Sequence, residues 1–233
     1  MSQPNRSQGT GSAASGGSDR TDDLPPTVFV VDDDASFIRS LERMLRASGY
    51  AVRSFTSAAD FLERRPAGAA GCLVADLKMP GMDGMSLQQV LARSDDPLPI
   101  VFLTGHGDIP TSVTAMRRGA EDFLTKTAPR DQLLGAIERA LARDGRERRM
   151  RTQQRELRAR IAALTPRERE VLGHVLRGER NKQIAADLGI DERSVKRHRT
   201  RLMAKLRVTS VTALTRLAVE AGVAFDGGPA EIT

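Results

Sequence analysis

From Thr27 onward the chain alternates short β-branched or apolar runs with stretches of helical periodicity. The runs fall at 28–31, 51–55, 72–75, 100–103 and 122–124. Between the first two, Ile38, Leu41 and Leu45 recur at spacings of three and four and form one apolar helix face. Gly49, Gly71 and Gly119 punctuate the returns from helix to strand. Strands alternating with helices in this way build βα units around a parallel sheet. The pattern therefore predicts an α/β domain over 27–142, a doubly wound five-stranded parallel sheet.

Past that domain the texture changes. Leu133, Leu134, Ile137 and Leu141 make an amphipathic final helix, after which Arg, Glu and Gln dominate with few apolar anchors. This predicts a solvated helical linker over 143–163, in which Met150, Leu157 and Leu164 fall seven apart, too few positions to define a coiled-coil seam. At Thr165 an all-α module begins, and 164–224 reads as four short helices near 166–177, 181–188, 192–206 and 209–221. Thr165, Pro166 and Glu168 form a capping box with Pro at the first helical position. The second and third helices, joined through Gly189 and capped by Asp191, have the lengths and tight turn of a helix-turn-helix. Residues 1–26, rich in Ser, Gly and polar side chains, read as a disordered extension, and 225–233 as a flexible tail.

Charge separates the two halves. The net charge is −2 over 27–128, +5 over 129–164 and +4 over 165–233, so the back half has the electrostatic footprint of a nucleic-acid binder. The chain has no Trp, one Tyr and seven Phe, which argues against recognition by base stacking. A single cysteine, Cys72, rules out an internal disulfide and a thiolate zinc cluster and reads as a small core residue. His106, His174 and His198 lack metal-ligand spacing and read as packing or hydrogen-bonding groups. With neither a secretory signal core nor an apolar run of about 18 residues, the expected setting is a reducing cytoplasm, without a membrane partner.

Polar residues gather where an open α/β sheet binds its ligands, beyond the carboxyl ends of the strands. Asp32, Asp33 and Asp34 follow the first strand, Asp76 the third, Thr104 the fourth and Lys126 the fifth. Carboxylates brought together at neutral pH require a compensating cation, and hard oxygen donors suit Mg²⁺. Asp76, Lys126 and Thr104 around such a cation make a phosphoryl site. In the third helix of the C-terminal module, Val195, Leu202 and Leu206 share one face and Lys196, Arg197, Thr200, Arg201 and Ala204 the other. The segment 193–207 holds seven basic residues and no acid, so phosphate contacts dominate its expected affinity.

Residues 30–33, 76–84 (DLKMPGMDG), 103–108 (LTGHGD) and 119–126 resemble the receiver domain of bacterial two-component response regulators. The C-terminal runs TPRERE from Thr165, NKQIA from Asn181 and SVKRHR from Ser194 resemble the LuxR-type helix-turn-helix, so the whole chain resembles the FixJ/NarL-type regulators. The resemblance implies that Asp76 accepts a phosphoryl group from a sensor histidine kinase. It implies that Asp32, Asp33, Asp76 and the backbone carbonyl of Lys78 hold Mg²⁺, that Lys126 pairs with the phosphoryl group, and that Thr104 and Phe123 are the switch pair. It further implies homodimerisation on phosphorylation and binding of double-stranded promoter DNA, with RNA polymerase admitted as a further partner. Lys182, Lys196, Arg197, Thr200 and Arg201 are the candidate DNA contacts, with Arg197 and Lys196 reading base edges and Lys182, Arg199 and Arg201 touching phosphate. Thr127 departs from the family, which usually has Pro after the Lys, and this bears on Lys126 placement and on dephosphorylation.

Two other readings compete with a phosphorylation-controlled, non-enzymatic transcription regulator. Asp32 and Asp34 faintly resemble the Asp-x-Asp of haloacid-dehalogenase-type phosphatases, whose first Asp is the nucleophile, although Ala35 and Ser36 fit that motif poorly. A pseudo-receiver that binds DNA without ever carrying phosphate is the other.

Overall fold

The computed structural model describes residues 25–105 and 109–222. The predicted tail, nearly all of the predicted N-terminal extension, and His106 and Asp108 lie outside the described residues. The chain forms two compact units that divide between Gly145 and Arg146.

In the first unit five strands, β1 (Thr27–Val31), β2 (Ala51–Phe55), β3 (Gly71–Ala75), β4 (Ile100–Thr104) and β5 (Asp122–Thr125), form a parallel sheet in the order β2-β1-β3-β4-β5. The helices are α1 (Ala35–Ala47), α2 (Ala58–Arg64), α3 (Gly84–Ala92), α4 (Ile109–Arg117) and α5 (Arg130–Ala162). Successive strand residues point to opposite faces, so both faces are apolar and both are covered. Phe29 and Val31 pack with Phe61, Leu73, Leu87 and Phe102 on one side. Val28 and Val30 pack with Leu45, Val101 and Ile137 on the other. Four strands run one residue beyond the sequence-based limits because Gly71 pairs with Thr27 and Thr104 pairs with Thr125. The chain order reverses between β1 and β3, which places the crevice beyond their carboxyl ends.

The predicted final helix and linker are one helix, α5, of 33 residues. Asp144, near the end of its share of the first unit, is buried and accepts the Gly71 N–H at 2.8 Å. Farther along, Leu157 and Ile161 are core residues of the second unit, as is Leu164 just beyond the helix. Met150 is 69% exposed, so the seven-residue spacing marks two core anchors and not a seam.

The second unit continues through α6 (Pro166–Leu176), α7 (Asn181–Leu188), α8 (Glu192–Leu206) and α9 (Val211–Glu220). The Thr165 hydroxyl accepts the Glu168 N–H at 3.2 Å while Glu168 Oε2 accepts the Thr165 N–H at 2.9 Å, which closes the capping box at the start of α6. Gly189 ends α7 with φ +63°, the left-handed conformation that sets the turn into α8. α9 begins at Val211, later than the sequence suggests, because the Ser210 hydroxyl accepts the Ala213 N–H at 3.1 Å and makes Ser210 the cap. Arg177 likewise caps α6 instead of extending it.

Candidate functional site

Asp32 and Asp76 directly follow the adjacent strands β1 and β3, and both are buried. The Lys126 ammonium, one residue past β5, lies 2.6 Å from Asp32 Oδ2 and 3.0 Å from Asp76 Oδ2. The remaining oxygens are held by backbone: Asp32 Oδ1 accepts the Asp34 N–H at 2.9 Å, and Asp76 Oδ1 accepts the Leu77 N–H at 2.6 Å and lies 3.5 Å from the Lys78 nitrogen. Burial pushes the Asp32 carboxyl up, against the opposing pull of Lys126. Burial also pulls the Lys126 ammonium down, but its bonds to Asp32 and Asp76 raise it by more, so it stays charged.

Exposed Asp33 offers a third carboxylate, and one oxygen each from Asp32, Asp33 and Asp76 lies within 4.8 Å of the others. Three carboxylates against one ammonium leave two negative charges uncompensated, and all the donors are hard oxygens. These residues fit a divalent cation of the Mg²⁺ type. Asp34, third in the acidic run, does not belong to that cluster: its Oδ1 accepts the Ser36 and Phe37 N–H groups at 2.8 and 3.1 Å and caps α1.

Backbone packing fixes the Asp76 loop. The Gly84 N–H donates to the Leu77 carbonyl at 2.9 Å, and a Cβ at Gly84 would lie 2.4 Å from the Asp76 carbonyl oxygen and 2.9 Å from the Phe102 ring. Only glycine lets α3 start this close to the loop. Thr104, the buried last residue of β4, accepts the Lys126 N–H at 2.8 Å through its carbonyl. Phe123 is half-buried on β5, its ring centroid 6.2 Å from that of Phe102. Around Thr127 the Ala128 N–H donates to the Thr125 carbonyl at 2.9 Å, and the Thr125 and Thr127 hydroxyls lie 3.2 Å apart.

In the second unit Val195, Leu202 and Leu206 are fully buried, whereas Lys196, Arg197, Thr200 and Arg201 on α8 and Lys182 on α7 are exposed. Two other basic residues of α8 are engaged in the fold. Arg199 donates to Asn181 Oδ1 at 2.7 Å, which ties α8 to α7. Lys205 donates to buried Glu168 Oε2 at 2.6 Å, which ties α8 to the capping box. His174 Nδ1 lies 2.6 Å from Glu179 Oε2, with Asp187 Oδ2 at 3.8 Å. Sequence spacing does not reveal this cluster, which forms because α6 and α7 meet across their turn. Cys72 is fully buried, and burial keeps its thiol protonated. No helix among the described residues is long and apolar enough to cross a membrane.

The chain matches two family descriptions, the response regulator receiver domain over residues 28–138 and the bacterial regulatory proteins of the luxR family over 162–218. It is 40% identical over 201 residues to the response regulator protein TmoT of Ectopseudomonas mendocina, covering 86% of this chain and 91% of that protein. It is 38% identical over 199 residues to the transcriptional regulatory protein FixJ of Bradyrhizobium diazoefficiens, covering 85% and 97% respectively. Among solved structures, the response regulator StyR superposes with a TM-score of 0.76 at 46% identity, covering 84% of this chain and all of that one. Full-length FixJ from B. japonicum superposes with a TM-score of 0.51 at 38% identity, covering 84% and 97%.

Proposed function

This chain belongs to the response regulators that join a receiver domain to a luxR-type DNA-binding domain, and on that premise we propose that Asp76 is its phospho-acceptor and that phosphorylation controls its binding to promoter DNA. The observation that carries this reading is the single ammonium of Lys126 bonded to both Asp32 and Asp76 in the crevice. A sensor histidine kinase supplies the phosphoryl group. An Asp76 carboxylate oxygen forms a bond to phosphorus as the phosphorus–nitrogen bond of the kinase phosphohistidine breaks, and the electron pair leaves on the imidazole, which takes up a proton. Lys126 then pairs with a phosphoryl oxygen.

Asp32, Asp33, Asp76 and the Lys78 carbonyl are the groups that would hold Mg²⁺. When bound, that ion supplies charge neutralisation at the phosphoryl oxygens. The Thr104 hydroxyl turns toward the phosphoryl group and the Phe123 ring moves inward behind it, a local charge event that biases a two-state element. The switch remodels the face around α4 and β5, that face pairs two receivers, and two helix-turn-helix modules then engage a two-fold site, with RNA polymerase a further partner. Lys196 and Arg197 read base edges, while Lys182 and Arg201 meet phosphate and Thr200 contributes a weaker or apolar contact. The work is done in the cytoplasm, as transcription regulation and not as turnover of a substrate.

The test incubates wild-type protein and Asp76→Asn with acetyl phosphate and Mg²⁺ and maps acyl phosphate by mass spectrometry. Label on Asp76, lost in the variant, is the expected result. Label on Asp32 would establish the phosphatase reading instead. No label, with DNA affinity indifferent to the donor, would establish the pseudo-receiver.

A further inference from the structure

The Lys126 ammonium has a third neighbour. It lies 4.6 Å from the centroid of the Phe37 ring, within the range where an aromatic face attracts a cation. Of the three groups around Nζ, Asp76 and Asp32 take part in the proposed phosphoryl and cation chemistry, and the ring takes part in neither. A lysine is a point charge on a flexible four-carbon stem, so something must hold it while its carboxylate partners change state. The backbone of the loop is tied at Lys126 N–H and Ala128 N–H, but those bonds leave the lysine stem itself free to turn.

The Phe37 side is stiff by contrast. Asp34 Oδ1 accepts the Phe37 N–H at 3.1 Å, and the Asp34 carbonyl accepts the Ile38 N–H at 3.0 Å, so the ring rides on a capped first turn of α1. The ring also packs against the apolar core on that face of the sheet. Phe37, Met44, Leu103 and Leu133 line a cavity of about 190 Å³ that Lys126 also lines. The ring is therefore both an attractive face for the ammonium and a wall that limits where the lysine stem can go.

We propose that Phe37 is the positioning residue for Lys126, holding its ammonium beside Asp76 where a phosphoryl oxygen arrives. This rests on Asp76 being the phospho-acceptor. The acidic run, read in sequence for its carboxylates, thus has a second output, in which Asp34 sets the helix turn, the turn sets Phe37, and Phe37 sets Lys126.

The experiment uses the full chain with Phe37→Leu, which keeps an apolar side chain and removes the ring face, and Phe37→Tyr, which keeps the face. Acetyl phosphate is the probe: an Asp76 oxygen bonds to phosphorus as the phosphorus–oxygen bond to acetate breaks and acetate leaves with the electron pair. Phe37→Leu is expected to slow the initial labelling rate about threefold to tenfold, with Phe37→Tyr near wild type. In the metal-free protein, NMR is expected to show the Lys126 Hε signals shifted by the ring current in wild type and Phe37→Tyr and at ordinary positions in Phe37→Leu. Wild-type labelling rates in Phe37→Leu would overturn the role of Phe37 and leave Asp76 as acceptor. Equal slowing in both variants with equally lowered melting temperatures would overturn it too, since that is loss of packing. No label on wild-type protein would remove the acceptor reading, and the role of Phe37 with it.

Discussion

The two units bury charge for opposite ends. In the first, Asp32 and Asp76 are buried around one shared ammonium, and burial pushes the Asp32 carboxyl up against the pull of Lys126. In the second, buried Glu168 bonds to Lys205, the Thr165 N–H and the Thr165 cap, and these partners outweigh burial to hold its carboxyl below the ordinary value. One site keeps carboxylates short of compensation, which suits the cation and phosphoryl group proposed for it. The other gives its carboxylate two bonds to Oε2 and leaves the proposed DNA contacts Lys196, Arg197 and Arg201 in solvent, which suits recognition by counterion release. A buried charge thus marks chemistry only where its partners fall short of it.

The harshest way to break this contrast is to disturb the crevice without touching a charge. Gly84→Ala places a Cβ 2.4 Å from the Asp76 carbonyl oxygen, so either the loop or α3 must move. The expected loss is about 2–3 kcal/mol in the unfolding transition of the first unit, read by urea denaturation. Acyl phosphate labelling of Asp76 is expected to fall by more than an order of magnitude even where the protein remains folded, since a misplacement of about 1 Å costs that much in a positioned reaction. Labelling at the wild-type rate would show that the loop needs no such close approach.

That dependence on Gly84 shows what a sequence conveys and what it withholds. The strands, their parallel pairing and the crevice residues Asp32, Asp76, Thr104 and Lys126 follow from apolar runs and from polar residues placed at strand ends. The helix-turn-helix follows from one capping box and one glycine turn. Nothing in the apolar pattern singles out Phe37, because its proposed role depends on a lysine 89 positions away that tertiary packing brings to 4.6 Å. Lys205 reads as a member of a basic run and Arg199 as a phosphate contact, and only the packing of α8 on α6 and α7 assigns them to Glu168 and Asn181. The break between the units, by contrast, lies inside one unbroken helix, α5, within a few residues of the change in texture that ends the predicted first domain. Local patterns specify elements, whereas the partner of a long polar side chain is a property of the assembled surface.

A smaller effect tests the second unit. Lys205→Ala removes the charged partner of a buried carboxylate and is expected to destabilise that unit by about 2 kcal/mol in thermal or urea unfolding. The same pair gives a pH dependence. A carboxyl held below its ordinary value of 4.5 contributes stability that is fully present above that value and is lost as pH falls through the lower folded value. The second unit is therefore expected to lose stability on acidification below about pH 4.5, and Lys205→Ala to lose less over the same range. Unfolding curves of the two proteins that stay parallel with pH would show that Glu168 is not held down by this bond.

The smallest expected effect on the fold is the most informative about the exposed cations. Arg201 lies in solvent on the face of α8 opposite Leu202 and Leu206, so Arg201→Ala should change stability by no more than about 0.5 kcal/mol. Its consequence belongs to binding. Removing one phosphate contact lowers affinity for every duplex alike and makes the slope of log affinity against log salt shallower by about one, measured on non-specific DNA. Lys205→Ala, which removes an equal formal charge from the same helix, should leave that slope close to wild type, because the Lys205 ammonium is bonded to the buried Glu168 carboxylate. Equal slopes for the two variants would mean that net charge alone sets DNA affinity here and that the division between structural and working cations on α8 has no functional content. Unequal slopes, with the stability losses in reverse order, would assign each cation to its task by measurement.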